Sequence, residues 1–195
     1  LDVEVRLRLR SELPAVLSRC GASGLIVTHD PEEALAICDR VAVLRDGVLH
    51  QCASPRHLVQ HPATSFVGRF VLQGNLLPAQ RRGDQVITAL GSLLATAGSS
   101  LQPQGGVAGD REEVLVSPEA IGLHPDTDGE AWVQGREFLG REWLYRVQLG
   151  DLKLRLRLPL EAEYSRGQRC RLALRPGALG VLFPSQQALQ VPPPP

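Results

Sequence analysis

The stretch EWLYRVQLGDLKLRLRLPL, residues 142–160, decides how the second half of this chain folds. After the turn dipeptide Gly150-Asp151, apolar and polar residues alternate with the period of two that is typical of a half-buried β-strand. The pattern predicts an antiparallel hairpin with a buried leucine face and a solvated basic face, although a phosphate-binding face is an alternative for the basic residues. The predicted inward residues are Leu152, Leu154, Leu156 and Leu158, and the outward residues are Lys153, Arg155 and Arg157.

The hairpin belongs to a series of short strand patterns that extends from about residue 75. Short strands separated by turn residues predict a small β-barrel or sandwich, and Trp132, Trp143 and Tyr145 are predicted to fill its core. The Gly-rich residues 97–113 predict a loop or linker, and the prolines near the end predict an extended or disordered tail. The other strand patterns are QVITAL, EEVLVS, AIGLH, AWVQGREFLG, RCRLAL and LGVLF.

Helical and strand patterns alternate in the first third of the chain. Residues 3–9 alternate with a strand-like period of two, but the apolar residues from Leu9 to Cys20 recur at helical spacing, so we predict a helix here. Because proline costs about 3 kcal/mol in a helix interior, Pro14 either lies in the first turn after a Ser11 cap or kinks the helix.

Two further elements follow from turn and cap residues. VAVLRDGVLHQ, residues 41–51, predicts a hairpin, because Asp46-Gly47 supplies the positive φ angles of a type I′ turn. SPRHLVQHP, residues 54–62, predicts a short helix with Ser54 as its N-cap and Pro55 at its first position.

One histidine stands at a junction of elements in LIVTHDPEEAL, residues 25–35. The apolar run predicts a short buried strand that ends at His29, and Asp30-Pro31 predicts the start of a helix that continues to Cys38. The carboxyl end of a strand is where open α/β sheets bind ligands, so His29 is a candidate binding residue. A buried histidine satisfied by a backbone carbonyl is the alternative that the residues leave open.

Composition excludes several classes of protein. The 195 residues are 43% hydrophobic, enough for one large or two small domains, and 21 Lys and Arg balance 21 Asp and Glu. There is therefore no overall electrostatic reason to expect nucleic acid or an acidic membrane surface as a partner. No stretch approaches the roughly 20 apolar residues that span a bilayer and no signal pattern opens the chain, so it is predicted to be cytoplasmic.

Neither the cysteines nor the histidines predict a metal site. Four scattered cysteines without C-x-x-C spacing predict free thiols. His57 and His61 lie four residues apart on the predicted short helix and would form a metal pair with His50, but we predict surface histidines and no metal. The consecutive residues Thr28, His29 and Asp30 point to different sides of the chain, which excludes a Ser-His-Asp type of nucleophile.

Taken in order, VTHDPEEAL, CDRVAVLRDGVLHQCASPRHLVQHPATSFVGRF and GNLLPAQ resemble the carboxyl-terminal part of an ABC importer ATPase that carries a TOBE regulatory domain. The resemblance spans nearly the whole chain and is most specific over residues 25–62. It implies a mixed α/β and all-β fold, in which the carboxyl-terminal piece of an ABC ATPase α/β domain precedes a small OB-like TOBE β-barrel. The implied domains are 1–64 for the ATPase piece, 65–74 for a connecting helix or linker, 75–184 for the TOBE-like domain and 185–195 for the Pro-rich tail.

The resemblance also implies site residues. His29 matches the switch histidine of the H-loop, which reaches the γ-phosphate of ATP in a head-to-tail dimer, and Asp2 matches the D-loop. An imidazole suits this task because it both donates and accepts hydrogen bonds near neutral pH. The chain has no phosphate loop, no LSGGQ signature and no strand ending in Asp-Glu. We expect these motifs upstream of Leu1 in a longer protein, with ATP and Mg²⁺ as its cofactors and none for this chain alone.

Partners and cargo follow from the same resemblance. It implies membrane permease subunits, a second ATPase subunit in a homodimer, an indirect link to a periplasmic solute-binding protein, and a position on the inner face of the plasma membrane. FVGRFVLQGNLLPAQ, residues 66–80, is most similar to ferric-iron importers, with sugar, polyamine and oxyanion importers as alternatives. Two other classes remain open: a stand-alone TOBE-type module that binds an oxyanion or metal, and a dimerisation module that pairs apolar strand edges of residues 129–158.

Overall fold

The computed structural model describes residues 3–97 and 112–184, and the chain divides into two compact units between Val71 and Leu72. The first unit combines helices with one hairpin. The described part of the second unit consists of strands and a single 3₁₀ turn.

The elements of the first unit confirm most of the local predictions. α1 is helical as predicted, but it begins at Val3 with Pro14 in its interior, so the Ser11 cap is wrong. The Arg, Leu and Glu residues before Pro14 are good helix formers and extend the helix toward its amino end. The elements are α1 (Val3–Cys20), α2 (Pro31–Ile37), β1 (Val41–Arg45), β2 (Val48–Ala53), α3 (Pro55–Gln60) and α4 (Ser65–Leu72).

The hairpin and α3 form where their turn and cap residues predict them. Asp46 and Gly47 have φ angles of 52° and 77°, and positive φ at both central residues is the mark of a type I′ turn. Ser54 accepts a hydrogen bond from the His57 N–H at 3.4 Å and so caps α3. A small core holds the unit together, and its buried side chains are Val43, Leu58, Val67 and Val71.

The predicted strand at residues 25–29 is wrong. Residues 22–28 have no regular secondary structure, and Leu25 and Val27 are 94% and 92% exposed. A buried strand is stable only when neighbouring strands satisfy its backbone groups. Within the described residues of this unit the sheet contains β1 and β2 only, so the apolar run has no strand with which to pair.

The second unit contains a closed barrel and a five-stranded sheet. The barrel order is β12-β5-β4-β3-β6, the sheet order is β10-β9-β8-β11-β7, and one continuous hydrophobic core joins them. The sequence predicts a barrel or a sandwich, and the structure contains a barrel that is extended by a sheet. The strands are β3 (Asn75–Arg82), β4 (Gln85–Thr88), β5 (Gly91–Ala97), β6 (Glu112–Val116), β7 (Ile121–Pro125), β8 (Ala131–Phe138), β9 (Glu142–Leu149), β10 (Leu152–Pro159), β11 (Arg169–Leu174) and β12 (Leu179–Pro184), with the 3₁₀ turn at Pro118–Ala120.

The central hairpin of this unit is confirmed. Leu149 pairs with Leu152 across the turn, and Leu154, Leu156 and Leu158 are at most 3% exposed. Lys153 and Arg155 are exposed and Arg157 is half-buried, as a solvated outer face requires.

The aromatic residues fill the core only in part. Tyr145 is fully buried and Trp143 packs at the margin of the core. The prediction for Trp132 is wrong, because Ala131 and Val133 point inward and the residue between them faces the opposite side of the sheet. The half-buried Trp132 ring lies there with the Arg169 guanidinium 5.8 Å from its centroid.

Replacing Asn75 by leucine is expected to lower the free energy of unfolding by about 2–4 kcal/mol. The Asn75 amide is 5% exposed, donates to the Arg155 carbonyl at 2.8 Å and accepts from the Arg155 N–H at 2.7 Å. It therefore satisfies backbone groups on the outer edge of β10, which the leucine would leave buried without partners. Urea unfolding followed by tryptophan fluorescence measures the change. Gln80→Leu, at an exposed position of the same strand, is the control, and equal midpoints for the two variants would contradict this role.

Candidate functional site

His29 lies at a bend between the irregular residues 22–28 and α2, and its side chain is exposed. Its exposure excludes the alternative of a buried histidine satisfied by a backbone carbonyl. The helix start that follows it is confirmed: the Asp30 carboxylate accepts from the Glu32 N–H at 2.9 Å and the Glu33 N–H at 3.4 Å, and Pro31 is the first helical residue.

The backbone on both sides of His29 is restrained. The Thr28 hydroxyl donates to the Glu33 carboxylate at 2.8 Å and accepts from the Asp30 N–H at 3.1 Å. These bonds tie the residue before the bend to the first turn of α2. The arrangement presents an imidazole at the surface, where it can donate and accept hydrogen bonds with a ligand.

Of the other predicted site residues, Asp2 lies outside the described residues. The three histidines weighed as a metal group, His50, His57 and His61, separate into two sets. The His57 and His61 rings approach each other with their centroids 5.0 Å apart, whereas the His50 ring packs against Phe66 at 4.9 Å. Within residues 3–97 and 112–184, no group of three or more His, Cys, Asp or Glu side chains could hold a metal ion.

The titratable groups in the core of the second unit are structural. Burial raises the pKa of the Cys170 thiol above its ordinary value, which disfavours the nucleophilic thiolate. Burial, and then the neighbouring Tyr145 and Cys170, raises the pKa of Tyr164, whose hydroxyl donates to the Leu123 carbonyl at 3.1 Å. The exposed cysteines are Cys20 and Cys52, and Cys38 is partly exposed.

The strand edges needed for a dimerisation module are mostly used within the chain. β8 pairs with β9 and β11, and β9 pairs with β8 and β10, so of the three strands in residues 129–158 only β10 lies at an edge of this sheet. Asn75 already occupies both backbone groups of Arg155 on that strand. In the described part of the chain, no helix is both long and apolar enough to cross a membrane.

Comparisons with known proteins identify relatives of both units. The family model of the TOBE domain matches residues 114–182, from β6 to β12, and this match confirms the predicted TOBE-type β-domain. The chain is 32% identical over 194 residues to the spermidine/putrescine import ATP-binding protein PotA of Pseudomonas fluorescens, covering 94% of this chain and 52% of that protein. It is 32% identical over 202 residues to the Fe(3+) ions import ATP-binding protein FbpC 2 of Rhizobium meliloti, covering 97% of this chain and 50% of that protein.

The chain thus spans about half the length of the curated relatives that it matches. Among solved structures, the cytoplasmic molybdate-binding protein ModG matches with a TM-score of 0.40 and 14% identity, over 57% of this chain and 93% of that protein. A likeness this low carries no argument about function.

Proposed function

We propose, from the premise that this chain belongs to the TOBE-domain-bearing ATP-binding subunits of ABC importers, that it is the carboxyl-terminal portion of an ATP-hydrolysing subunit that energises nutrient import. The similarity to import ATP-binding proteins over 94% and 97% of the chain carries this proposal. The phosphate loop and signature motif, which are absent from the 195 residues, would then lie in the other half of the full-length protein.

His29 is proposed as the switch histidine of that subunit. Its exposed imidazole, held between the Thr28–Glu33 hydrogen bond and the Asp30 cap, supports a role in contacting the γ-phosphate of ATP. In the intact dimer its hydrogen bonds would help to orient the attacking water. Asp2 is proposed as the D-loop residue on the resemblance alone.

The surroundings of His29 favour a shared nucleotide site over one made by this chain alone. Asp30, Glu32 and Glu33 place three carboxylates within four residues of the imidazole. Like charges repel a polyphosphate unless cationic groups and Mg²⁺ offset them, and phosphate-cradling backbone N–H groups are the usual device. ATP and Mg²⁺ are therefore proposed as cofactors of the full-length protein, with the isolated chain binding ATP weakly if at all.

The partners proposed for the full-length protein follow from the family. They are membrane permease subunits and a second ATPase subunit, with a periplasmic solute-binding protein acting indirectly. The subunit would then work at the inner face of the plasma membrane. Ferric iron is proposed as cargo on the similarity of residues 66–80 to iron importers, and one relative is named for Fe(3+) import. Another relative is named for spermidine and putrescine import, so polyamine is the competing cargo.

The test begins with the coding DNA upstream of Leu1. We expect a phosphate loop, a signature motif and an Asp-Glu strand in the same reading frame. The complete product, purified with its permease, should hydrolyse ATP and drive uptake of labelled ferric iron over labelled spermidine, whereas the 195-residue chain should do neither. Hydrolysis with spermidine uptake would replace iron by polyamine. A start codon at Leu1, with saturable oxyanion or metal binding by residues 75–184, would instead establish the stand-alone regulatory module.

A further inference from the structure

An exposed apolar patch lies at one end of the sheet in the second unit. The strand register places the ends of β8 and β10 on either side of the start of β9, because Trp143 pairs with both Phe138 and Leu158. Phe138, Leu139 and Leu160 are 59%, 46% and 45% exposed. Single exposed apolar side chains are ordinary, but three gathered at one end of a sheet indicate an interaction surface. The hairpin-end patch is defined as these three residues with Trp143.

Trp143 holds the hairpin-end patch in one arrangement. Its ring centroid lies 5.0 Å from that of Phe138, and its indole N–H donates to the Leu160 carbonyl at 3.3 Å. The Arg136 guanidinium lies 4.8 Å from the Trp143 centroid and donates to the Glu163 carboxylate at 3.0 Å. A surface that is fixed in advance and has aromatic rings at its centre loses little conformational entropy when a partner binds.

The rim of the patch carries one charge of each sign that has no ion pair among the described residues. Arg141 lies in the turn between β8 and β9 and Glu161 follows the end of β10, so they lie on opposite sides of β9, and both are exposed. The neighbouring Glu142 is already paired with Arg157 at 3.2 Å. A two-fold rotation exchanges the two sides of a patch, and it would bring Arg141 of each copy toward Glu161 of the other.

We propose that the hairpin-end patch is a self-association surface through which two copies of this chain form a two-fold dimer. Burial of the exposed apolar side chains stabilises the dimer, and the two pairs of Arg141 with Glu161 set its orientation. The small area of the patch implies a weak dimer, with a dissociation constant in the micromolar range or above. The surface uses no strand edge and belongs to the TOBE-type unit, so it does not depend on the proposed ATPase function.

The test is sedimentation equilibrium of the 195-residue chain at concentrations from about 1 µM to 1 mM. We expect the mass to rise from that of a monomer toward that of a dimer. Phe138→Ser should raise the dissociation constant about tenfold or more, because it removes an aromatic side chain from both halves of a two-fold interface. Circular dichroism checks that this exposed substitution leaves the fold intact.

The matched control is Leu25→Ser combined with Val27→Ser. It removes two exposed apolar side chains from the first unit and should leave the dissociation constant unchanged. A monomeric mass at every concentration would overturn the proposal, as would a control that weakens the dimer as much as Phe138→Ser does. Dimerisation only after removal of residues 185–195 would assign the patch to the tail and would also overturn it.

A charge swap separates a specific two-fold interface from general apolar association. Arg141→Glu alone places like charges opposite each other at two sites of the dimer and should raise the dissociation constant about tenfold. Combining it with Glu161→Arg restores opposite charges and should return the dissociation constant to within about threefold of the parent value. A double variant as weak as Arg141→Glu alone would overturn the two-fold arrangement.

Discussion

Replacing His29 by alanine in the full-length subunit is expected to lower ATP hydrolysis and coupled uptake by about 10²-fold or more, while ATP binding persists. The imidazole is exposed and stands outside α2, so its loss removes no core contact. The hydrogen bonds proposed for it form at the γ-phosphate and the attacking water, where charge develops during hydrolysis. Removing them raises the barrier of the chemical step and leaves the contacts that retain ATP.

Nucleotide binding and phosphate release, measured on the same preparation of transporter, separate the two effects. His124→Ala is the matched control, because it removes another exposed histidine, in the second unit. Hydrolysis and uptake at the level of the unsubstituted protein would exclude His29 as the switch residue. Loss of ATP binding together with hydrolysis would show that His29 holds the nucleotide and does not act in the reaction itself.

Gly129→Ala is expected to destabilise the second unit by about 3 kcal/mol or more, or to prevent it from folding. A Cβ atom at Gly129 would overlap with the carbonyl oxygen and the carbonyl carbon of Cys170. Both are backbone atoms of a buried strand residue that cannot rotate away. β11 pairs with β8 through two residues only, Arg169 with Trp132 and Cys170 with Ala131, so a shift of the backbone here would break a short ladder.

Urea unfolding of the chain, followed by tryptophan fluorescence, measures this loss. Gly122→Ala is the control, because its Cβ would meet the His124 imidazole at 3.4 Å and the Ala173 carbonyl at 3.6 Å, which are distances that small adjustments accommodate. The control is expected to change stability by less than about 1 kcal/mol. If the two glycine variants unfolded at the same urea concentration, the close approach at Cys170 would not be a constraint on the fold.

Local chemistry explains which parts of the fold could be predicted. Asp46-Gly47 predicts its hairpin because few residues other than glycine, asparagine and aspartate adopt positive φ without strain. Asp30-Pro31 and Ser54-Pro55 predict helix starts because the Asp or Ser side chain accepts from backbone N–H groups of the first turn and the proline has no N–H of its own. The strands β3 and β5 lack a clear alternating pattern in the sequence and are not among the predicted strands, although both belong to the barrel.

The candidate site could be predicted only in part, because local chemistry predicts the helix start after His29 but not the strand pairing of the residues before it. The dipeptide after His29 predicts its place before a helix, and the structure agrees. Its predicted place at the end of a strand depended on neighbouring strands, and residues 25–28 have none in the described part of this unit. Propensity favours a strand for an apolar run, but burial and pairing with other strands are what stabilise one.

The sequence by itself determined the Asp46-Gly47 and Gly150-Asp151 turns, the N-caps of α2 and α3 and the alternating leucine face of residues 152–158, because each depends on residues within a few positions of one another. The tertiary structure decided the closure of the barrel by pairing β12 with β5, and the hydrogen bonds of Asn75 to Arg155, 80 positions further along the chain. It also placed Trp132 on the polar face of the sheet. Such contacts depend on which distant backbone groups remain unpaired once the local elements have formed. A pattern within a few neighbouring residues does not predict which groups these are.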